Sequence, residues 1–178
     1  MALLETPACA MGTSAPAFQL TDVFGKAHTL DSARGPKGLL VVFMCNHCPY
    51  VQRILPDLVP ALKEVQSYGI GVIAISANDA NRYPQDAPEH MQTLATEQHF
   101  SFPYCYDETQ AVAHAYGAVC TPDFFGYNAE LELQYRGCFR HPVTKEISLL
   151  TAMNEIAQTG MVSFEQYPSM GCSIKWRD

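Results

Sequence analysis

The chain has little positive charge. Lysine and arginine total 11 against 18 aspartates and glutamates, a formal net charge of −7, and nowhere do the basic residues cluster. A nucleic-acid surface needs a basic patch to neutralise phosphates, so that partner class is excluded. No apolar run approaches the roughly 18 residues that a membrane-crossing helix requires, so no membrane partner is expected. Met1 to Gly12 contain no lysine or arginine and no long apolar core. They do not read as a secretory signal, and a cytoplasmic setting is expected. Repeats, low-complexity segments and linkers are missing as well.

What is present suits one globular domain. The 178 residues are 48% hydrophobic and 16% charged, enough to build a sizeable core. The expected domain is 1–178, with a core over about 15–160 and a tail over 161–178. Seven cysteines are scattered through the chain: Cys9, Cys45, Cys48, Cys105, Cys120, Cys138 and Cys172. The count is odd, so at least one thiol stays unpaired within a monomer. In a reducing compartment most should be free, and Cys9, Cys105 and Cys138 read as small buried hydrophobes.

Elements alternate along the chain. Ala15–Asp22 and Ala27–Leu30 predict a hairpin with Gly25 in its turn. Leu39–Met44 reads as a buried strand, because it is apolar and β-branched with no polar alternation. A helix from Cys48 to about Tyr68 follows, with apolar Val51, Leu55, Leu58, Leu62 and Val65 at helical spacing and Pro56 and Pro60 inside it. Ile70–Ser76 predicts the next strand, Glu89–Gln98 a helix and Phe102–Tyr106 a short strand or extended link. Asp107 is expected to cap a helix over 108–116 that Gly117 stops. Phe124–Tyr127 and Leu131–Tyr135 predict a second hairpin, and Thr144–Gln158 the last helix. The tail has too little pattern to assign. This order calls for an α/β fold, a central mixed sheet flanked by helices.

Cys48 stands out by position. It precedes Pro49, a residue favoured at the first helical position, so it sits at a helix N-terminus. Unpaired amides and the helix dipole there favour a thiolate. Cys48 also lies at the carboxyl end of a central strand, where sites of such sheets gather. Cys45 reads either as a thiol that resolves an oxidised Cys48 or as the packed end of the strand. His47 reads as a modulator of the thiolate or of substrate approach, or else as a spacer. Cys45, His47 and Cys48 lack a second pair at ligand spacing, and proline rather than histidine follows the Cys-x-x-Cys, so neither a metal nor haem is expected.

A set of phrases, in order, resembles a known family: Phe43-Met44-Cys45-Asn46-His47-Cys48-Pro49-Tyr50-Val51, Ala77-Asn78-Asp79, Tyr83-Pro84-Gln85-Asp86, Asp107-Glu108-Thr109-Gln110, Cys120-Thr121-Pro122-Asp123-Phe124-Phe125, Tyr135-Arg136-Gly137 and Gly171-Cys172-Ser173-Ile174-Lys175-Trp176. Together they resemble the thioredoxin-fold superfamily, and within it the peroxiredoxin-like branch of the alkyl hydroperoxide reductase/thiol-specific antioxidant family. The resemblance implies a thioredoxin-like fold with an N-terminal hairpin extension. It places Cys48 where that fold holds its attacking cysteine, with Val51 at the second cysteine position. Peroxiredoxins carry proline and threonine seven and three residues before the attacking cysteine; here Val41 and Cys45 stand there.

The resemblance further implies a cis Thr121–Pro122 bond beside Cys48, with Cys120 as a second candidate resolving thiol. It makes His47, Pro49, Thr121 and Pro122 substrate-binding candidates, and Arg136, Arg140 or Arg53 the candidate for the arginine that stabilises thiolate and peroxide. Cys172 would pack the tail over the site or resolve Cys48. The implied activity is a thiol oxidoreductase of peroxidase type, with thiol–disulfide exchange through Cys45 and Cys48, or a redox-inactive binding module, as alternatives. The partners implied are a peroxide or disulfide substrate and an external thiol reductant, with a homodimer left open and no cofactor required.

Overall fold

A computed structural model describes residues 2–178. Its centre is a five-stranded mixed sheet in the order β6-β5-β4-β8-β9: β4 spans Gly38–Phe43, β5 Ile70–Ser76, β6 Tyr104–Tyr106, β8 Asp123–Tyr127 and β9 Leu133–Tyr135. β4 runs parallel to β5 and antiparallel to β8. Every residue of β4 is buried, which explains why its sequence shows no polar alternation. Side chains still alternate between two cores. Leu40 and Val42 enter one with Cys45 and Cys48; Leu39, Val41 and Phe43 enter the other with Phe125 and Tyr127.

Helix α2, Pro49–Ser67, covers the first face together with α5, Ser148–Thr159. α2 buries Val51, Leu55, Leu58, Ala61, Leu62 and Val65. Each large member of that stripe contributes about 1.5–3 kcal/mol. Opposite, α1 (Leu30–Ala33) and α4 (Ala111–Tyr116) close the second core. α3, Pro88–Glu97, packs Met91 and Ala95 into the first core, beside Tyr104 of β6. The N-terminal hairpin forms as β2 (Gln19–Thr21) and β3 (Ala27–Thr29), with Gly25 at φ +87° in the turn. Among the described residues no helix is long and apolar enough to cross a membrane.

Three expectations shift. The helix expected over 108–116 begins only at Ala111, because Gln110 is left-handed (φ 64°) and its amide is committed to Ala77 O (2.6 Å) and Lys175 O (2.9 Å). Asp107 still caps it from outside, its carboxylate accepting the Ala113 N–H at 2.8 Å. The last helix begins at Ser148 rather than 144, since His141 Nδ1 draws the amides of Val143 and Thr144 into a turn (both 3.1 Å). The second hairpin strand starts at Leu133, after Leu131 turns at φ 60°.

The unassigned tail holds a strand, β10 (Met170–Ser173). It lies between β1 (Leu3–Glu5) and β7 (Cys120–Thr121) in a small antiparallel sheet, with Cys172 opposite Thr121 and Ser173 opposite Cys120. Gly171 is required there: a Cβ at that residue would lie 1.8 Å from Thr121 O.

Candidate active site

The site forms where β4 ends and α2 begins. Met44 to His47 bridge the two, and Cys48 is the N-cap of α2, in extended backbone with Pro49 at the first helical position. Short polar contacts hold this turn. The fully buried Asp86 carboxylate accepts from the Asn46 amide (2.8 Å), the His47 amide (3.1 Å), Asn78 Nδ2 (2.9 Å) and His47 Nδ1. Tyr104 donates its hydroxyl to Asn46 Oδ1 at 3.0 Å, and Gln52 Nε2 donates to Asn46 O at 2.9 Å. The His47 ring also stacks on Tyr83, 5.5 Å between centroids.

Three thiols meet above that turn. Cys48 is wholly buried and, when protonated, donates to Thr121 O at 3.2 Å. Its pKa is pulled down to about 4, first by the hydrogen bond from the Cys45 thiol, which outweighs the opposing cost of burial; Thr121, Cys172 and the Val51 amide at the helix end assist. The Cys45 thiol moves well above its ordinary value, because its proton is shared toward Cys48, it is buried, and Asp86 is near. It also lies 3.5 Å from Thr121 Oγ1. Cys172 is pushed up to about 11, chiefly by burial, while Lys175 and the Tyr50 amide act in the opposite direction. All seven cysteines are free thiols. The arrangement is a buried thiolate flanked by two protonated thiols.

Thr121–Pro122 is cis and stands against this cluster, as the resemblance implied. Pro49 is exposed at the start of α2, and Pro122 is buried. Cys120 falls elsewhere. Opposite residues of an antiparallel pair share a face, so Cys172 joins Thr121, whereas Cys120 points with Ser173 to the other side. Burial pushes the Cys120 thiol up to about 12.

Arg136 is not brought to Cys48 either. Its guanidinium donates to Asp123 (Nε–Oδ1 3.3 Å, NH2–Oδ2 2.8 Å) and to Gly117 O (2.9 Å), and lies 4.5 Å from the centre of the Phe125 ring. Phe125 belongs to the core on the face opposite Cys48, strand alternation places Asp123 with it, and these contacts hold Arg136 on the same face. Arg136 therefore neutralises a buried carboxylate. Arg136→Gln is expected to cost about 3 kcal/mol by leaving Asp123 uncompensated, measured by urea unfolding, while leaving the pH dependence of Cys48 alkylation unchanged. A changed alkylation profile would contradict this placement.

Asp86 is a site residue that the sequence shows only as a member of a matching phrase. Cys172 stands over the site as the resemblance implied, and the strand that carries it there has no signal in the unpatterned tail. Cys45, His47 and Asp86 each offer one donor atom within 4.8 Å of the others. Both Asp86 oxygens are already occupied as acceptors, so the group reads as a brace rather than a free ligand set.

A model of the AhpC/TSA family matches residues 11–141. The thiol-disulfide oxidoreductase ResA of Geobacillus thermodenitrificans (strain NG80-2) is 27% identical over 121 residues, 68% of this chain and 65% of that protein, so the match spans just under two thirds of that relative. A crystal structure of an uncharacterized conserved protein from Geobacillus kaustophilus superposes with a TM-score of 0.92 at 39% identity, covering 99% of this chain and 97% of that one. The thioredoxin domain of a thiol-disulfide oxidoreductase from Bacteroides vulgatus superposes with a TM-score of 0.66 at 18% identity, covering 84% of this chain and 99% of that one, a likeness of fold. The family match spans most of the chain, and the chain belongs to the AhpC/TSA family on a thioredoxin-like fold.

Proposed function

We propose that the protein is a thiol–disulfide oxidoreductase in which Cys48 is the attacking thiolate. The observation that carries this reading is the Cys48 sulfur at the N-cap of α2, packed with Cys45 and Cys172 and with its pKa pulled down to about 4. A thiolate attacks a disulfide sulfur, and a neighbouring thiol then displaces the mixed disulfide. The site holds sulfur for both steps, and neither needs a cofactor. The name of the ResA relative points the same way. Peroxide chemistry would start from the same thiolate. Disulfide exchange is favoured because Cys45 occupies the place where the family's peroxide-orienting hydroxyl would stand. An external thiol or dithiol completes the cycle by returning the protein to the reduced state.

The test is catalysed reduction of insulin by dithiothreitol. The wild type should accelerate precipitation of the insulin B chain, and Cys48→Ser should lose that acceleration by at least about a hundredfold. A wild type no faster than dithiothreitol alone, or a Cys48→Ser variant as fast as wild type, would remove the reading. Consumption of hydrogen peroxide by the same two proteins tests the peroxide route separately.

A further inference from the structure

The two thiols that contact Cys48 are unequal. Cys45 is almost completely buried, and the Asp86 carboxylate nearby opposes its ionisation. Cys172 arrives on β10 from the far end of the chain, and its pairing with Thr121 fixes it on the Cys48 side of the small sheet. Burial and the neighbouring Cys48 hold the proton on Cys172, and two groups act against them. One is the Tyr50 amide, among the helix-end donors without an intrahelical partner. The other is the Lys175 ammonium, held two residues on by Ser173 O (2.5 Å) and Ser173 Oγ (3.2 Å). Cys48 and Cys172 therefore face the same helix end from two sides.

Cys172 is almost completely buried in the first core. Its neighbours fix the strand without it. Ser169 Oγ donates to Pro122 O (2.8 Å), the Ile174 amide donates to Val119 O (3.0 Å), and the Lys175 amide donates to Asn78 Oδ1 (2.9 Å). The strand is anchored on both sides of Cys172, which holds that thiol in place against Cys48.

We infer that Cys172 is the resolving thiol of Cys48, closing an intrachain Cys48–Cys172 disulfide that joins the tail strand to the mouth of α2. The inference rests on Cys48 as the attacking thiolate. In the first step Cys48 Sγ attacks one sulfur of a substrate disulfide. The new S–S bond forms as the old one breaks, and the other substrate sulfur leaves as a thiolate that takes a proton from solvent. Cys172 gives its proton to solvent and attacks Cys48 Sγ; the Cys48–Cys172 bond forms and the second substrate thiolate leaves. The substrate gains two electrons and the protein loses two, which an external dithiol restores.

The test treats the fully reduced chain with one equivalent of oxidised glutathione, quenches with acid, blocks free thiols and maps peptides without reduction. The wild type should lose two hydrogens and yield a linked Cys48–Cys172 peptide pair. Cys45→Ser should still close this bond. Cys172→Ala should stall as a Cys48–glutathione mixed disulfide with a lifetime at least about tenfold longer, and its circular dichroism should match the wild type. A Cys45–Cys48 disulfide within one peptide of the wild type would overturn the assignment while leaving Cys48 as nucleophile. So would a Cys172→Ala variant that releases glutathione at the wild-type rate. If Cys48 stays unmodified in the folded chain but reacts in the unfolded one, both the assignment and the attacking-thiolate reading fall.

Discussion

Iodoacetamide will alkylate Cys48 of the reduced protein at a rate that barely changes between about pH 8 and about pH 5, whereas an ordinary thiol slows by about a thousandfold over that span. The reason is a competition with a clear winner. Complete burial disfavours the charged sulfur, but a donor thiol, a helix end and further polar contacts together outweigh it and bring the pKa to about 4. Burial lowers the absolute rate, because the sulfur must first be uncovered, yet the shape of the pH profile still reports the thiolate fraction. Since the Cys45 donor is the largest cause of the shift, Cys45→Ala, which removes it, should move the acid limb of the profile upward. A rate that falls tenfold per pH unit from about pH 8 downward would refute the ionised thiol.

The same shift has a thermodynamic sign. The folded pKa lies below the unfolded one, so ionisation of Cys48 stabilises the fold fully above the unfolded value of about 8.5. That contribution is lost as pH falls through about 4. The stability of wild type relative to Cys48→Ser should therefore increase from about pH 4 to about pH 8. Urea midpoints for the two proteins across that range measure it. Titration of Asp107 and Asp123, which burial shifts upward, occurs in both proteins and cancels in the difference.

The parts of this site that were legible in the sequence are the local ones. A β-branched run, two cysteines, a proline and an amphipathic helix follow one another without a gap, so β4, Cys48 and α2 could be placed within a residue or two of where they lie. The rest depends on pairings across the chain. Nothing near Asp86 says that its oxygens meet the amides of Asn46 and His47, forty and thirty-nine residues earlier. Nothing in Met170–Ser173 announces a strand, because its partners, Leu3–Glu5 and Cys120–Thr121, lie far away in sequence and the segment is too short to show a period. The resemblance puts Cys120 at the site through the neighbouring cis-proline and Arg136 through its charge. The register turns Cys120 onto the far side of the terminal sheet, and the pairing with Asp123 holds Arg136 on the opposite face of the central sheet.

Asp86→Ala should have the largest stability cost of any single change near Cys48, about 5 kcal/mol. The side chain is fully buried, and four donors converge on it: two backbone amides, the Asn78 amide group and the His47 ring. Each buried donor left without a partner costs about 1–3 kcal/mol, and relaxation of the turn keeps the total below a simple sum. Asp86→Asn should lose less, since one oxygen remains to accept while its new N–H₂ must face donors. Because these contacts fix the turn that carries Cys45 and His47, Asp86→Ala should also open Cys45 to alkylation, which the intact turn prevents by burial. Removing the carboxylate takes away the charge that opposes Cys45 ionisation, so both effects push Cys45 toward reactivity. A stability loss below about 1 kcal/mol, with Cys45 still protected, would mean that β4 and α2 position the thiols without the brace.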